Sequence, residues 1–147
     1  MTTQKLYIAG PMTGFAHFNY PAFYEAHKKL VRIFRGHDIG IVSPAHNDDG
    51  SRINPPVPEY AEAHDVYLRQ ALHKLVDCHA IYLLPGWSKS SGARIECRIA
   101  VALGMDVYLD DESEIGDLAE IHHPAAITIK PSGMGHGTRY VKRERSW

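Results

Sequence analysis

The segment "SSGARIE", residues 90–96, combines groups that could bind an anion with a carboxylate that could attack an electrophile. Hydroxyls and free backbone N–H groups before a helix form an anion site that the helix dipole reinforces. Ser90, Ser91 and Gly92 are therefore predicted to bind a phosphate or carboxylate. Glu96 lies in the first turns of this helix, so it is either a nucleophile kept ionised by the dipole or an acidic residue that only stabilises the helix.

A second loop with ligand-binding character is "GPMTG", which ends the apolar run "KLYIA". Glycines permit close approach of the backbone to a ligand, and a threonine offers a hydroxyl. Tyr7, in the preceding run, could orient the Glu96 carboxylate if the two segments are neighbours, or it is an aromatic residue of the core. The predicted binding residues of this loop are Gly10, Pro11, Met12, Thr13 and Gly14.

Short apolar runs alternate with helical patterns along the chain, which predicts βαβ units around a parallel sheet of about five strands. Ligands of such sheets bind beyond the carboxyl ends of the strands, where both loops are expected. The predicted strands are residues 5–9, 39–42, 80–84, 105–109 and 125–129. The predicted helices are residues 21–35, 59–76 and 92–103, with a short acidic helical stretch at 112–121. The long loop between the second strand and the helix at 59–76 is of a length often associated with function.

Composition limits the class of protein. The chain has 147 residues, 44% of them hydrophobic, and its formal charge is −1. These values predict one domain with a real core and no overall attraction to nucleic acid or membranes. Two cysteines and no signal-peptide pattern predict a reduced, cytoplasmic protein. The domain is predicted to span residues 1–130, followed by a flexible basic tail at 131–147. The ten histidines show no metal-ligand spacing, so no metal site is expected.

Three segments resemble one protein family: "LYIAGPMTG", "NYPAF" and "CHAIYLLPGWSKSSGARIECRIAVALGM". They are similar to the nucleoside 2-deoxyribosyltransferase-like superfamily and, within it, to the small, often phage-encoded DUF4406 proteins. The resemblance implies a flavodoxin-like, three-layer fold in a dimer or larger homo-oligomer, located in the host cytoplasm if the gene is phage-borne. It also implies cleavage of the N-glycosidic bond of a nucleoside or nucleoside monophosphate, as hydrolase or deoxyribosyltransferase, without a cofactor.

The resemblance assigns roles to particular residues. The nucleophile of the G-x-x-x-E motif falls on Glu96, the strand-one tyrosine on Tyr7, and a polar ligand of sugar or phosphate on Ser90. Two aspartates of the family pattern are absent, because this chain has Ala71 and His79 at those positions. Their absence keeps open a second hypothesis, a non-catalytic binder of nucleotides or nucleotide-derived signals, and a third, an oligomeric interaction protein with a vestigial site.

Three further parts of the sequence have two interpretations each. Trp87 is either a stacking platform for a nucleobase or an interface aromatic, and Ser88 is grouped with it in the ligand-binding loop. His79, with Asp77 nearby, could transfer a proton, although a histidine at the start of a strand is more often structural. His64 and Asp65, near the long loop, either line the mouth of the site or are the solvated start of a helix.

Overall fold

The computed structural model describes residues 4–111, 114, 127–129 and 139–142. Six strands and three α-helices are present in these residues. The strands are β1 (Gln4–Ala9), β2 (Ile39–Val42), β3 (Ala80–Leu83), β4 (Asp106–Leu109), β5 (Ile127–Ile129) and β6 (Arg139–Lys142). The helices are α1 (Tyr20–Ile33), α2 (His64–Leu75) and α3 (Ser91–Ala102). None of these helices is long and apolar enough to cross a membrane.

The strands form one sheet in the order β2-β1-β3-β4-β6-β5. The first four are parallel, with Tyr7 of β1 paired to Val42 of β2 and to Ile81 of β3. The α/β class is confirmed. The parallel part contains four strands rather than about five, because the predicted strand at 125–129 is reduced to β5 and pairs antiparallel to β6.

Helices cover both faces of the sheet. On one face, Phe23 and Leu30 of α1 pack against Leu6 and Ile8 of β1. On the other face, α2 and α3 pack against Tyr7, which lies between Leu6 and Ile8 in β1. Because both faces are covered, consecutive residues of β1 are buried, and the segment is almost continuously apolar instead of alternating.

The predicted and the observed element boundaries differ most at α2. The helix begins at His64 rather than at residue 59, because Pro58–Tyr60 forms a separate 3-10 turn and Ala61 and Ala63 have extended backbones. Apolar spacing continues through this stretch, so spacing alone could not locate the start. The predicted helical stretch at 112–121 lies outside the described residues, apart from Glu114.

The division of the chain at residue 130 stays a prediction. Strand β6 lies within the segment assigned to a flexible tail, and it pairs with β4 through three residue pairs. The rest of residues 131–147 lies outside the described part of the chain. Among the described residues, the two clusters of buried residues that form the core come from residues 6–109.

Candidate active site

A cavity of about 410 Å³ lies at the carboxyl ends of β1 and β3. After β1 the chain crosses to β2 on one side, and after β2 it returns to β3 on the other side. The loops that follow β1 and β3 therefore diverge, and this is the position at which open parallel sheets bind ligands. Both loops singled out in the sequence contribute to the cavity wall, together with α2 and the long loop before it.

Glu96 lies in the wall of this cavity and is 6% exposed. It belongs to the second turn of α3, whose first N–H groups are capped by Ser90: the Ser90 Oγ accepts a hydrogen bond from the Ala93 backbone N–H at 3.2 Å. Among the described residues, the Glu96 Oε2 has no hydrogen-bond partner. A buried carboxyl oxygen without a protein partner is available to a ligand.

Burial raises the pKa of the Glu96 carboxyl to about 7. Burial therefore opposes the helix dipole, which was expected to keep this group ionised. The dipole acts over the first turn of a helix, and Glu96 is five residues beyond Ser91, so desolvation outweighs it. At neutral pH the carboxyl is near its midpoint between the neutral and charged forms.

Tyr7 is fully buried and its hydroxyl faces the Glu96 carboxyl. This proximity lowers the pKa of Glu96 in opposition to burial, whereas burial and the adjacent carboxylate raise the pKa of Tyr7. The pair does not have the geometry of a normal hydrogen bond. In the described part of the chain, neither the Tyr7 Oη nor the Glu96 Oε2 has a hydrogen-bond partner. Such contacts often tighten only when a ligand is bound.

Removing the Tyr7 hydroxyl should raise the pKa of Glu96 above about 7, because the group that favours the charged carboxylate is lost. The measurement is a carboxyl ¹³C NMR titration of Tyr7→Phe against the wild type. Tyr82→Phe is the matched control, since Tyr82 is a fully buried tyrosine of β3 in the cluster on the opposite face. An unchanged Glu96 titration in Tyr7→Phe would contradict the proximity described above.

Glu96→Gln should stabilise the protein at high pH. The pKa of Glu96 rises from 4.5 to about 7 on folding. Between pH 4.5 and about 7, the folded state therefore holds a proton that the unfolded state has released. Stability is therefore full below pH 4.5 and falls as pH rises to about 7, by up to about 3 kcal/mol. Glutamine removes this loss. Urea unfolding should show the variant to be more stable than wild type at pH 8, with little difference at pH 4.5; equal stability at both would contradict the shifted pKa.

The loop after β1 contributes three of its five predicted residues, since Gly10, Met12 and Thr13 line the cavity. The close approach at Gly10 is to protein rather than to a ligand, because a Cβ there would lie 2.8 Å from the Leu84 Cβ. The remaining two residues, Pro11 and Gly14, are not part of the cavity wall. The Pro11 carbonyl accepts a hydrogen bond from the Asn19 side chain, and Gly14 is an exposed turn residue with φ +86°.

Three successive residues beyond this loop have left-handed backbones. His17, Phe18 and Asn19 have φ of 53°, 52° and 60°. Each non-glycine residue in this region costs of the order of 1–3 kcal/mol, and such strain concentrates at functional sites. Phe18 lines the cavity, and the hydrogen bond from Asn19 to Pro11, at 2.8 Å, holds the loop closed on itself. The sequence contains no glycine here that could have signalled this conformation.

The loop after β3 divides between cavity and core. Ser90 and Gly92 line the cavity, whereas Ser88 and Ser91 are not part of its wall. The Ser88 carbonyl accepts a hydrogen bond from the Arg94 guanidinium at 3.0 Å. Trp87 is fully buried in the cluster formed by α2, α3 and the sheet. It is therefore neither a stacking platform in this cavity nor an exposed interface residue.

His79 and Asp77 lie at the other end of the sheet. Both residues precede β3, whereas the cavity lies beyond its carboxyl end. The His79 Nδ1 accepts a hydrogen bond from the Lys5 backbone N–H at 3.1 Å, where β1 begins. Four strand residues span roughly 13 Å, so neither side chain reaches the cavity. The structure removes both residues from the candidate site.

The family of the chain is decided by residues 4–109. This range matches the family model described as "Domain of unknown function (DUF4406)". The chain belongs to the DUF4406 family. The crystal structure of a conserved protein from Enterococcus faecalis V583 superimposes with a TM-score of 0.47 and 21% identity, over 72% of this chain and 62% of that chain. No curated protein matches the sequence.

In this DUF4406 protein, α2 supplies two polar cavity residues, Gln70 and Lys74, that sequence reasoning did not select. Gln70, Ala71 and Lys74 follow one another along the face of α2 that lines the cavity. The Lys74 Nζ donates hydrogen bonds to the Ser43 and His46 carbonyls, at 3.2 and 2.9 Å, and so holds the loop after β2 against the helix. Burial lowers the pKa of Lys74.

The loop after β2 forms the remaining wall of the cavity, through Pro44, Ile53, Asn54, Pro56 and Glu62. Its length and its content of proline and asparagine were the only signal in the sequence that it might contribute. Within the described residues, no three histidine, cysteine, aspartate or glutamate side chains are placed to hold a metal ion. Glu96 is the more deeply buried of the two carboxyl groups of the cavity wall, since the other, Glu62, is exposed.

Proposed function

We propose that this protein cleaves the N-glycosidic bond of a nucleoside or nucleoside monophosphate, as hydrolase or deoxyribosyltransferase, with Glu96 as the nucleophile. The observation that carries the proposal is a buried carboxyl with a pKa of about 7, beside a tyrosine hydroxyl, in a cavity of about 410 Å³. Cavities of this size accommodate a small organic ligand. A carboxylate nucleophile is a common device of glycosyl transfer.

The proposed reaction has two steps, and Glu96 takes part in both. Its ionised oxygen attacks the anomeric carbon, and the C–N bond electrons pass to the base, which takes up a proton. The product is a glycosyl ester of Glu96. Water, or the nitrogen of a second base, then attacks the same carbon and restores the carboxylate. Tyr7 orients the nucleophile, and the hydroxyls of Ser90 and Thr13 are available to donate to sugar or phosphate oxygens.

We infer a flavodoxin-like, three-layer arrangement and membership of the nucleoside 2-deoxyribosyltransferase-like superfamily. The strand order 2-1-3-4 of the parallel part supports this inference, as do the helices on both faces. The position of Glu96 after Gly92, in the G-x-x-x-E spacing, supports the superfamily.

We also propose that the protein is a homo-oligomer. Val57 and Tyr60 are 54% and 82% exposed, and they lie in the chain between Pro56 and Glu62, two residues of the cavity wall. Large exposed apolar side chains at the mouth of a site are typical of an interface. Light scattering at micromolar concentration should give at least twice the chain mass of 16.5 kDa. A monomer of that mass would overturn this proposal.

A second candidate function is binding without turnover. Ala71 lines the cavity at the position of a family carboxylate, so one group that could position the sugar or protonate the base is absent. A binder would retain the cavity, the anion-binding residues Ser90 and Gly92, and a protonated Glu96 that donates a hydrogen bond to its ligand.

The test is incubation of the protein with the common ribo- and deoxyribonucleosides and their 5′-monophosphates, followed by chromatography for free base. Thermal shift with the same compounds measures binding independently. The proposal expects base release by the wild type and none by Glu96→Gln. Binding of a nucleotide by both proteins, with base release by neither, would support the second candidate and overturn the first.

A further inference from the structure

His64 is the first residue of α2, and its imidazole stands over the start of α3 at the cavity wall. A methyl group built on Gly92 would lie 3.4 Å from the His64 Nε2. The imidazole therefore lies within van der Waals reach of the first turn of α3. Glu96 follows Gly92 by four residues, which is about one turn of α3. His64 of α2 lies beside Gly92, and both His64 and Glu96 line the cavity.

The two groups differ in depth. Glu96 is 6% exposed, whereas His64 is exposed at the rim of the cavity. A nucleophile attacks the anomeric carbon on the face opposite the base. Because Glu96 is at the buried end of the cavity, the base leaves on the side that faces the solvent. The proton that the departing base needs must therefore come from a group nearer the rim than Glu96. The imidazole is the side chain best suited to transfer a proton near neutral pH.

We propose that His64 is the general acid that protonates the leaving base, in place of the carboxylate missing at Ala71. This inference rests on the proposed function. In the first step, the His64 imidazolium gives its proton to a nitrogen of the base as the C–N bond breaks. In the second step, the neutral imidazole accepts a proton from the attacking water, whose oxygen bonds to the anomeric carbon while the ester bond to Glu96 breaks.

Three other titratable groups of the cavity wall, those of Lys74, Tyr67 and Tyr20, fit this role less well. The Lys74 ammonium already donates to two carbonyls, which fixes it to the loop after β2. The Tyr67 hydroxyl accepts a hydrogen bond from the Glu62 backbone N–H at 2.9 Å, so it is held at the start of α2. Tyr20 is buried, and burial raises its pKa, which makes it a weaker acid.

The experiment compares two leaving groups in His64→Gln. The first substrate is the panel nucleoside or monophosphate that the wild type cleaves fastest, whose base leaves with difficulty unless protonated. The second is 7-methyl-2′-deoxyguanosine, whose base already carries a positive charge and needs no proton. His73→Gln is the matched control, because His73 is an exposed histidine of the same helix that is not part of the cavity wall. Thermal melts establish that all variants are folded.

His64→Gln should slow release of the ordinary base by about a hundredfold or more, but release of 7-methylguanine by no more than about threefold. His73→Gln should match the wild type on both. Equal slowing of both substrates by His64→Gln, or no slowing, would overturn the role of His64 while the proposed function stands, provided that Glu96→Gln still abolishes both reactions. A wild type that releases no base from any compound would overturn both proposals.

Discussion

Glu96→Gln should lower the rate of base release by about a thousandfold or more while the protein remains folded. Glutamine preserves the shape of the side chain but cannot form the glycosyl ester, so the covalent route is lost. The same variant is expected to be more stable than the wild type above pH 7, so unfolding cannot account for a loss of activity. Chromatographic rates of free base at saturating substrate measure the effect.

The matched control is Glu25→Gln, because Glu25 is an exposed glutamate of α1, on the opposite face of the sheet. It should leave the rate unchanged. With 7-methyl-2′-deoxyguanosine, whose base needs no proton from the protein, the wild-type rate should rise with pH through about 7, since only the ionised Glu96 is nucleophilic and burial has raised its pKa to that value. Base release by Glu96→Gln at the wild-type rate would show that another group performs the reaction.

Trp87→Ala should destabilise the protein by about 3–5 kcal/mol, the usual cost of truncating a buried tryptophan. Trp87 is fully buried between the end of β3 and α3, in the same cluster as Tyr7 and Cys97. A loss of this size is a large part of the stability of a typical domain. Urea unfolding at pH 5, where Glu96 contributes little to the difference between variants, measures it.

Trp87→Phe is the control for side-chain volume. It keeps an aromatic ring in the core and removes an indole N–H that has no hydrogen-bond partner among the described residues. The loss should therefore be less than about 2 kcal/mol. If Trp87 instead stacked on a ligand, Trp87→Ala would weaken nucleotide binding without loss of stability, and that result would contradict the placement in the core.

The parallel part of the fold was predictable because its signals are local. The strands β1 and β3 are short apolar runs that end at Gly10 and Pro85, and α1 carries its buried residues at helical spacing. The start of α2 was not predictable, because the apolar spacing continues through the 3-10 turn at Pro58–Tyr60. The direction of β5 depends on its pairing with β6, a contact between distant residues that no local pattern encodes.

The site was predictable where it depends on strand ends and helix starts. Ser90, Gly92 and Glu96 could be selected from one loop and one helix, and the structure brings them to one cavity. Lys74 and Asn54 could not be selected, because they reach the cavity only through the packing of α2 and the loop after β2. The raised pKa of Glu96 could not be predicted, since the desolvation that causes it arises from tertiary packing rather than from the place of Glu96 in the helix.

Mass spectrometry of the rapidly quenched reaction tests the central claim most directly. The wild type is mixed with the nucleoside or monophosphate that it cleaves fastest, quenched in acid within its first turnover, and digested to peptides. The account predicts that the peptide containing Glu96 gains the mass of one glycosyl group, and that the corresponding peptide of Glu96→Gln does not. Base release by the wild type without this adduct, or with the adduct on another residue, would contradict Glu96 as the nucleophile.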